Sequence, residues 1–295
     1  MNKTIWHQFA ILAATIIWGA AFLAQKLGAD HFGPFAIVSF RNFLGAGFLA
    51  LFLLLPMRHK LGKLTKTEFV GGTISGIALS SSMLAQQIGI ETTTPGISAF
   101  LTANYVVLVP VFVGILGLRR PKPVVWLSVL IAIIGSFLVS VSMEKDSLRL
   151  GVGEAWTLAC AALFAIQIMI VNHYSSKVNI IRFSALQLLS SAIITLPFIF
   201  LPSELRYLNF ADFWAGLPAL LFIGILSSGI AYTLQNIGQV GTPPTIAAII
   251  MSLESVFGAL FGWWILGDTL TLRQLVGCAL VFIAVILPQL RLRRQ

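Results

Sequence analysis

The run PPTIAAIIMSLESVFGALFGWWIL, residues 243–266, is free of charge except for Glu254, eleven residues past Pro243. A membrane-spanning helix needs about 20 mostly apolar residues, so the run has the length of one span. A carboxylate near the middle of a bilayer costs about 3 kcal/mol or more, so it turns toward protein or water and often marks a polar pathway. The chain around it has the same character. Of its 295 residues 58% are hydrophobic and 10% charged, with a mean hydropathy of +0.94. Soluble domains carry about 25% charged residues. The composition therefore points to an all-α, polytopic integral membrane protein.

Ten stretches have the length of a span: 5–27, 34–55, 70–90, 95–117, 123–142, 153–173, 181–201, 215–238, 243–266 and 271–290. Prolines fall at their ends, at Pro34, Pro56, Pro95, Pro121, Pro123, Pro202, Pro243 and Pro244, where a residue without an N–H does least harm. Pro110, Pro197 and Pro218 fall inside or near ends and are expected to kink their helices. The first stretch is too long for the apolar core of a signal peptide and reads as a retained first helix.

Lysine and arginine in short loops set orientation. With the N-terminus inside, the inner segments hold Lys3, Arg58, Lys60, Lys63, Lys66, Arg119, Arg120, Lys122, Lys177, Arg291, Arg293 and Arg294. The outer loops hold only Lys145, Arg149, Arg206 and Arg273. Both termini are therefore expected in the cytoplasm and the chain in the cytoplasmic membrane, with the lipid bilayer as its surroundings. The same bias accounts for the net charge of +9, so nucleic acid is not an expected partner. Cys160 and Cys278 lie inside apolar runs and read as small buried hydrophobes. No cysteine–histidine cluster suggests a metal, and no cofactor is expected.

The two halves resemble each other. Moving residues 86–112 by 149 positions matches nine of twenty-seven residues without a gap, among them Gln86 with Gln235, Gly89 with Gly238, Thr93 with Thr242 and Pro95 with Pro244. A weaker shift of 146 sets Arg41 against Gln187 and Trp18 against Phe164. Residues 1–147 and 148–295 would then be two five-helix repeats forming one transmembrane unit. Copies of an odd unit enter the membrane from opposite sides. Inverted repeats of this kind build transporters that open a central site alternately to either face.

Several motifs occur in order along the chain. Trp18-Gly19 and Lys26 lie in the first span, and Pro34 and Arg41 in the second. Gln235-x-x-Gly238 precedes Pro244, and Leu253-Glu254, Gly258 and Leu266-Gly267-Asp268 follow. In this order the chain resembles the drug/metabolite transporter superfamily, and within it the ten-helix EamA-type exporters, where Leu-Gly-Glu is usual in place of Leu-Gly-Asp. The resemblance covers the whole chain. It implies a 5+5 inverted basket around a cavity lined by spans 1–4 and 6–9, with spans 5 and 10 peripheral. It also implies a cargo of amino acids, other small metabolites or drugs, commonly moved outward.

Polar residues in spanning helices turn inward. Ser98, Thr102 and Tyr105 share one face of the fourth span, and Ser228, Tyr232, Gln235, Asn236 and Gln239 recur at helical spacing in the eighth. Ser82, Gln86 and Gln87 lie in the third span, Trp18 and Gln25 in the first. Such residues either line a cavity or hydrogen-bond neighbouring helices. The candidate substrate contacts are Trp18, Arg41, Gln86, Gln87, Ser98, Thr102, Tyr105, Tyr232, Gln235, Asn236 and Glu254. Under the 149 shift Tyr105 takes the place of Glu254, which makes those two the leading pair.

Glu254 admits two readings. It is a structural partner of Arg41, which lies at a compatible depth, or it binds a cationic group of the substrate or exchanges a proton. Arg41 likewise either attracts a carboxylate or braces helices, while Lys26 is expected to snorkel to the interface. Trp263 and Trp264 read as interfacial anchors, Gly258-x-x-x-Gly262 as a close helix contact, and His173 as interfacial; His7, His31 and His59 are isolated.

A secondary exporter of small molecules is the leading function, either coupled to a gradient of protons or another ion or acting as a facilitator. No Gly-x-x-x-x-Gly-Lys-[Ser/Thr] motif supplies a nucleotide-driven motor. A membrane-embedded enzyme acting on a lipid-linked substrate is the alternative, but its clustered acids, bases or nucleophiles do not emerge. A channel would need charge rings or carbonyl filters, which are not visible.

Overall fold

The structure, a computed structural model, describes residues 3–54, 63–118, 121–141, 151–205, 207, 210–267 and 269–292. These residues form helices and connections, with no strand among them. The helices are α1 (Lys3–Ala29), α2 (Pro34–Leu54), α3 (Lys66–Thr92), α4 (Pro95–Thr102), α5 (Tyr105–Ile115), α6 (Pro123–Ser140), α7 (Val152–Tyr174) and α8 (Ile180–Thr195). They continue as α9 (Pro202–Leu205), α10 (Phe210–Leu221), α11 (Tyr232–Val240), α12 (Pro244–Met251), α13 (Glu254–Phe261) and α14 (Leu272–Leu292). Wide π-helical turns at Phe222–Ala231 and Gly262–Leu266 extend α10 and α13.

Eight helical spans are long and apolar enough to cross a membrane: Thr4–Ala29, Pro34–Leu51, Pro95–Ile115, Pro123–Ser140, Val152–Lys177, Ile180–Phe200, Phe213–Val240 and Pro244–Ile265. The third and tenth expected spans are not among the eight. α3 is 27 residues long, but Ser75, Ser80, Ser81, Ser82, Gln86 and Gln87 dilute its apolar character. The apolar part of α14, Leu272–Pro288, falls in a shorter class. Arg58, Lys60, Arg119, Arg120, Lys145, Arg149, Arg206, Asp268, Arg293 and Arg294 lie outside the described residues, as do Pro56 and His59. Most of the charges used for orientation are among them.

Local chemistry sets the helix ends. Pro34, Pro95, Pro123 and Pro244 open helices, as expected of a residue with a helical φ and no donor. Thr94 caps α4 by accepting from the Ile97 amide at 3.2 Å, and Asn179 caps α8 by accepting from the Arg182 amide at 3.2 Å. Two spans are interrupted in their middle. Ala103-Asn104 separates α4 from α5, and Ser252-Leu253 separates α12 from α13. The Asn104 amide group turns back to the Phe100 and Leu101 carbonyls at 3.0 and 3.1 Å, competing with the helix for its own acceptors. At the second break Ser252 Oγ donates to the Ile249 carbonyl at 2.7 Å. The backbone repeats as well: the Ala103 amide donates to Ala99 and the Asn104 amide to Leu101, as the Ser252 amide donates to Ala248 and the Leu253 amide to Ile250, each 149 residues on.

The bundle buries polar residues among its apolar core and is apolar outside. Thr15, Gln25, Arg41, Asn42, Gln86, Gln167, Gln187, Gln235, Asn236 and Glu254 are buried, while Trp6, Phe9, Leu130, Trp156, Ile193, Phe282 and Ile286 are exposed. This suits a lipid solvent, which satisfies no hydrogen bond. Helices approach closely at small residues. A Cβ on Gly135 of α6 would lie 2.9 Å from the Gly277 carbonyl of α14, and one on Gly277 would lie 2.7 Å from the Gly135 carbonyl. α6 and α14 thus pack chiefly on each other.

A charged pair joins α3 to α8. Arg182 Nη2 donates to Glu68 Oε1 at 2.7 Å, the Asn179 amide donates to the same oxygen at 3.0 Å, and the Thr65 amide donates to Oε2 at 2.8 Å. Burial pushes the Glu68 carboxyl up, but the Thr65 and Asn179 amides and the Arg182 guanidinium together hold it below its ordinary value of 4.5.

Two outcomes are expected. Gly277→Val should lower stability by about 1–3 kcal/mol through overpacking against α6, read as an earlier unfolding transition in detergent. Glu68 stabilises the fold fully above its unfolded value of 4.5, and that contribution is lost as pH falls through its depressed folded value. Glu68→Gln should therefore lower the melting temperature at neutral pH and flatten its decline in acid.

Candidate functional site

Where α1, α2, α3 and the broken spans meet α7 and α11, side chains enclose a small cavity of about 30 Å³. Its walls are Trp18, Ala21, Phe22 and Gln25 of α1, Arg41 of α2, Gln86 of α3 and Thr102 of α4. Tyr105, Phe164, Ile168, Ser227, Tyr232, Gln235, Met251 and Glu254 complete them.

Two opposite charges face this space. Glu254, 5% exposed, is the first residue of α13, and Tyr105, the first residue of α5, donates its hydroxyl to Glu254 Oε1 at 3.0 Å. The second carboxylate oxygen accepts no hydrogen bond from a described residue. Arg41, 2% exposed, is held by neutral groups. Nε donates to Ser228 Oγ at 2.9 Å, Nη2 to Ser227 Oγ at 2.9 Å and Nη1 to Gln25 Oε1 at 3.3 Å. These three bonds use three of the five N–H groups of a guanidinium. The structural pair weighed from sequence is not formed: no ion pair joins Arg41 to Glu254, and each keeps hydrogen-bonding capacity toward the cavity.

An aromatic wall completes the site. The Trp18 and Tyr232 rings lie 4.9 Å apart, and Phe164 stacks on Tyr232 at 6.5 Å and 15°. Trp18 Nε1 donates to the Ser227 carbonyl at 3.3 Å, which fixes the indole against the wide turn after Pro218. Gln86 Nε2 donates to Thr102 Oγ1 at 3.2 Å across the wall between α3 and α4.

Of the sequence-derived candidates, Trp18, Arg41, Gln86, Thr102, Tyr105, Tyr232, Gln235 and Glu254 line the cavity, and Gln87, Ser98 and Asn236 do not. Gln87 Nε2 reaches the Gln25 carbonyl at 3.4 Å, and Ser98 is buried with no hydrogen-bond partner among the described residues. Asn236 Nδ2 donates to Ser184 Oγ at 2.9 Å and to Gln187 Oε1 at 2.7 Å, tying α11 to α8. Its neighbour Gln235 donates to Gln167 Oε1 and Gln239 Oε1, both at 3.2 Å. These amides form a buried polar seam running from the cavity wall along α11.

Ala21, Phe22, Gln25, Phe164, Ile168, Ser227 and Met251 line the cavity but were not among the candidates, although Gln25 shares a stripe with Trp18. Of the others only Phe164 left a trace, as the match to Trp18 under the 146 shift; an apolar residue in an apolar helix carries no sign of which way it faces. The Lys26 ammonium caps α3, donating to the Ile90 and Glu91 carbonyls at 2.9 and 3.1 Å. His7 is not isolated, since Nδ1 lies 2.8 Å from the Ile237 carbonyl and ties α1 to α11. His173 is exposed beside Lys177, and Trp263 and Trp264 are exposed.

A second cavity of about 290 Å³ lies between the C-terminal half of α1, the start of α4 and the end of α13, and includes Thr269, Leu270 and Gln274. Phe22 lines both cavities. Gly258 and Gly262 face the second, and the tight contact there belongs to Gly19, whose Cβ would meet the Gly258 amide at 2.8 Å.

The model of the EamA-like transporter family matches the chain twice, over residues 5–141 and 151–288. An uncharacterized transporter of Archaeoglobus fulgidus is 28% identical over 98% of this chain and 87% of its own length. The threonine/homoserine exporter RhtA of Escherichia coli K12 is 27% identical over 99% of this chain and 94% of its own. A solved crystal structure, 16% identical, shares the fold over 98% of both chains with a TM-score of 0.79. With both halves matched by the family model, the chain belongs to the EamA-like transporter family.

Proposed function

We propose that the chain is a secondary transporter that exports small zwitterionic metabolites, amino acids above all, across the cytoplasmic membrane by alternating access. One observation carries this reading: Arg41 and Glu254 line a single cavity, are not paired with each other, and flank an aromatic wall. A guanidinium with spare N–H groups suits a carboxylate, and a carboxylate with a spare oxygen suits an ammonium. Trp18, Phe164 and Tyr232 would take the remainder of the molecule. With about 30 Å³ of free space the cavity is closed down, and its walls part to admit a cargo. The relative named as a threonine/homoserine exporter supports the same cargo class.

The transport cycle rests on two inverted five-helix repeats, 1–147 and 148–295, making ten spans with α3 and α14 counted among them. The twofold family match, the recurrence of the helix break after 149 residues and the contact between Tyr105 and Glu254 support that arrangement. Both termini are cytoplasmic in this reading, on the loop charges. Phe22 divides the binding cavity from the second cavity, which serves as the outer vestibule. Glu254 is the group that exchanges a proton if the gradient is one of protons. The enzyme reading is not favoured, since the relatives carry transporter names.

Two outcomes test this in proteoliposomes. Glu254→Gln should reduce amino-acid counterflow by about thirty-fold or more, the effect of removing one charged partner, and abolish its dependence on pH. Normal transport with normal pH dependence would refute the role. Arg41→Gln should raise the KM for threonine at least about tenfold while leaving transport of a carboxylate-free amine unchanged. Equal losses for both cargoes, with an unchanged melting temperature, would remove Arg41 from carboxylate recognition.

A further inference from the structure

α2 and α8 run antiparallel, zipped at one end and parted at the other. Ser39 Oγ donates to the Ala192 carbonyl at 3.1 Å, and Asn42 Nδ2 donates to Ser191 Oγ at 2.8 Å. One turn on, a Cβ at Gly45 would meet Leu188 Cδ1 at 3.0 Å. Beyond that point a groove of about 490 Å³ opens between Phe43, Gly47, Ala50 and Leu53 of α2 and Ala185 and Leu189 of α8. A Cβ on Gly47 would meet nothing within 4 Å, so the gap between the helices is open there.

The walls offer no hydrogen bond until the far end, where Leu64 and Arg182 close the groove. A buried water needs two to four polar partners, so water does not fill such a space stably. The neighbouring surface is apolar, with Leu51 and Leu189 exposed, as expected of a face turned to acyl chains. The closed end is basic. Arg182 is neutralised by Glu68 at 2.7 Å. Lys63 and Lys66, on either side of Leu64, are both exposed, and no described acid is paired with them.

We propose that this groove binds an anionic phospholipid, with an acyl chain laid between α2 and α8 and its phosphate at Lys63 and Lys66 beside the Glu68–Arg182 pair. A zwitterionic lipid would fill the same groove without net attraction at the basic end, so charge decides the occupant. The site does not depend on the identity of the cargo. α2 carries Arg41, and α8 holds Asn236 through Gln187 and Ser184. A lipid wedged between the two helices therefore sets the spacing of two walls of the buried polar region.

The test uses the full chain in phosphatidylcholine nanodiscs with and without phosphatidylglycerol, together with native mass spectrometry of lipid retained after delipidation. Phosphatidylglycerol should raise the melting temperature by about 3 °C and be retained on the chain. The double variant Lys63→Gln, Lys66→Gln should bind it about thirty-fold more weakly. Gly47→Leu, which fills the groove where the backbone has room, should abolish retention while leaving the melting temperature in phosphatidylcholine alone unchanged. Equal stabilisation by both lipids would overturn the proposal. So would retention of phosphatidylglycerol by Gly47→Leu. A two-chain species that Gly47→Leu reduces to one would give the groove to a second copy and overturn it equally.

Discussion

The guanidinium of Arg41 is buried among three neutral side chains, Gln25, Ser227 and Ser228, and the arrangement of the bundle follows from that. A cation held by neutral oxygens keeps its charge undischarged. It joins α1, α2 and the wide turn at Phe222–Ala231, and it leaves a positive wall for whatever enters the cavity. The turn matters because a π-helical stretch alters the spacing of side chains along a helix, and here both serines, adjacent in sequence, reach the same guanidinium. Had Glu254 closed on Arg41, the two charges would have cancelled and the cavity would offer an incoming ion little.

Around this centre the chain departs from the usual order of a soluble protein. Large aliphatic and aromatic side chains cover its surface, and its interior mixes amides and hydroxyls with apolar side chains such as Ile11, Leu79 and Phe183. In a bilayer the placement of the polar groups is forced, because lipid accepts no hydrogen bond and they gather wherever protein encloses them. α3 follows from the same rule. Enclosed by α7 and α8 over much of its length, it tolerates serines and glutamines that a lipid-facing helix would not, and so fails a test based on apolar character.

Sequence carried the broad picture well. The lone carboxylate, its match to Tyr105 under the 149 shift, the prolines at helix starts and the ordered family motifs all pointed to features that the structure contains. The misses have one physical origin. A polar residue in a spanning helix is satisfied either by a cavity or by a neighbouring helix, and a single helix's pattern contains no information about the other helices. Gln235 and Asn236 are adjacent, about 100° apart around the axis, and only the first faces the cavity. Lys26 meets two carbonyls at the end of α3, partners that the pattern of α1 alone does not announce. Phe164, Ile168 and Met251 could not be distinguished from dozens of residues like them.

The two interrupted spans share one further property. Tyr105 and Glu254 each stand directly after the joint in their own span, and they hold each other by a single hydrogen bond of 3.0 Å. Flexing at either joint would alter the separation of hydroxyl and carboxylate, so in the proposed transport cycle the grip on a cargo and the bend of the two spans would be one variable. Release would then call for a change of bend at the middle of these spans, where their helices are already interrupted.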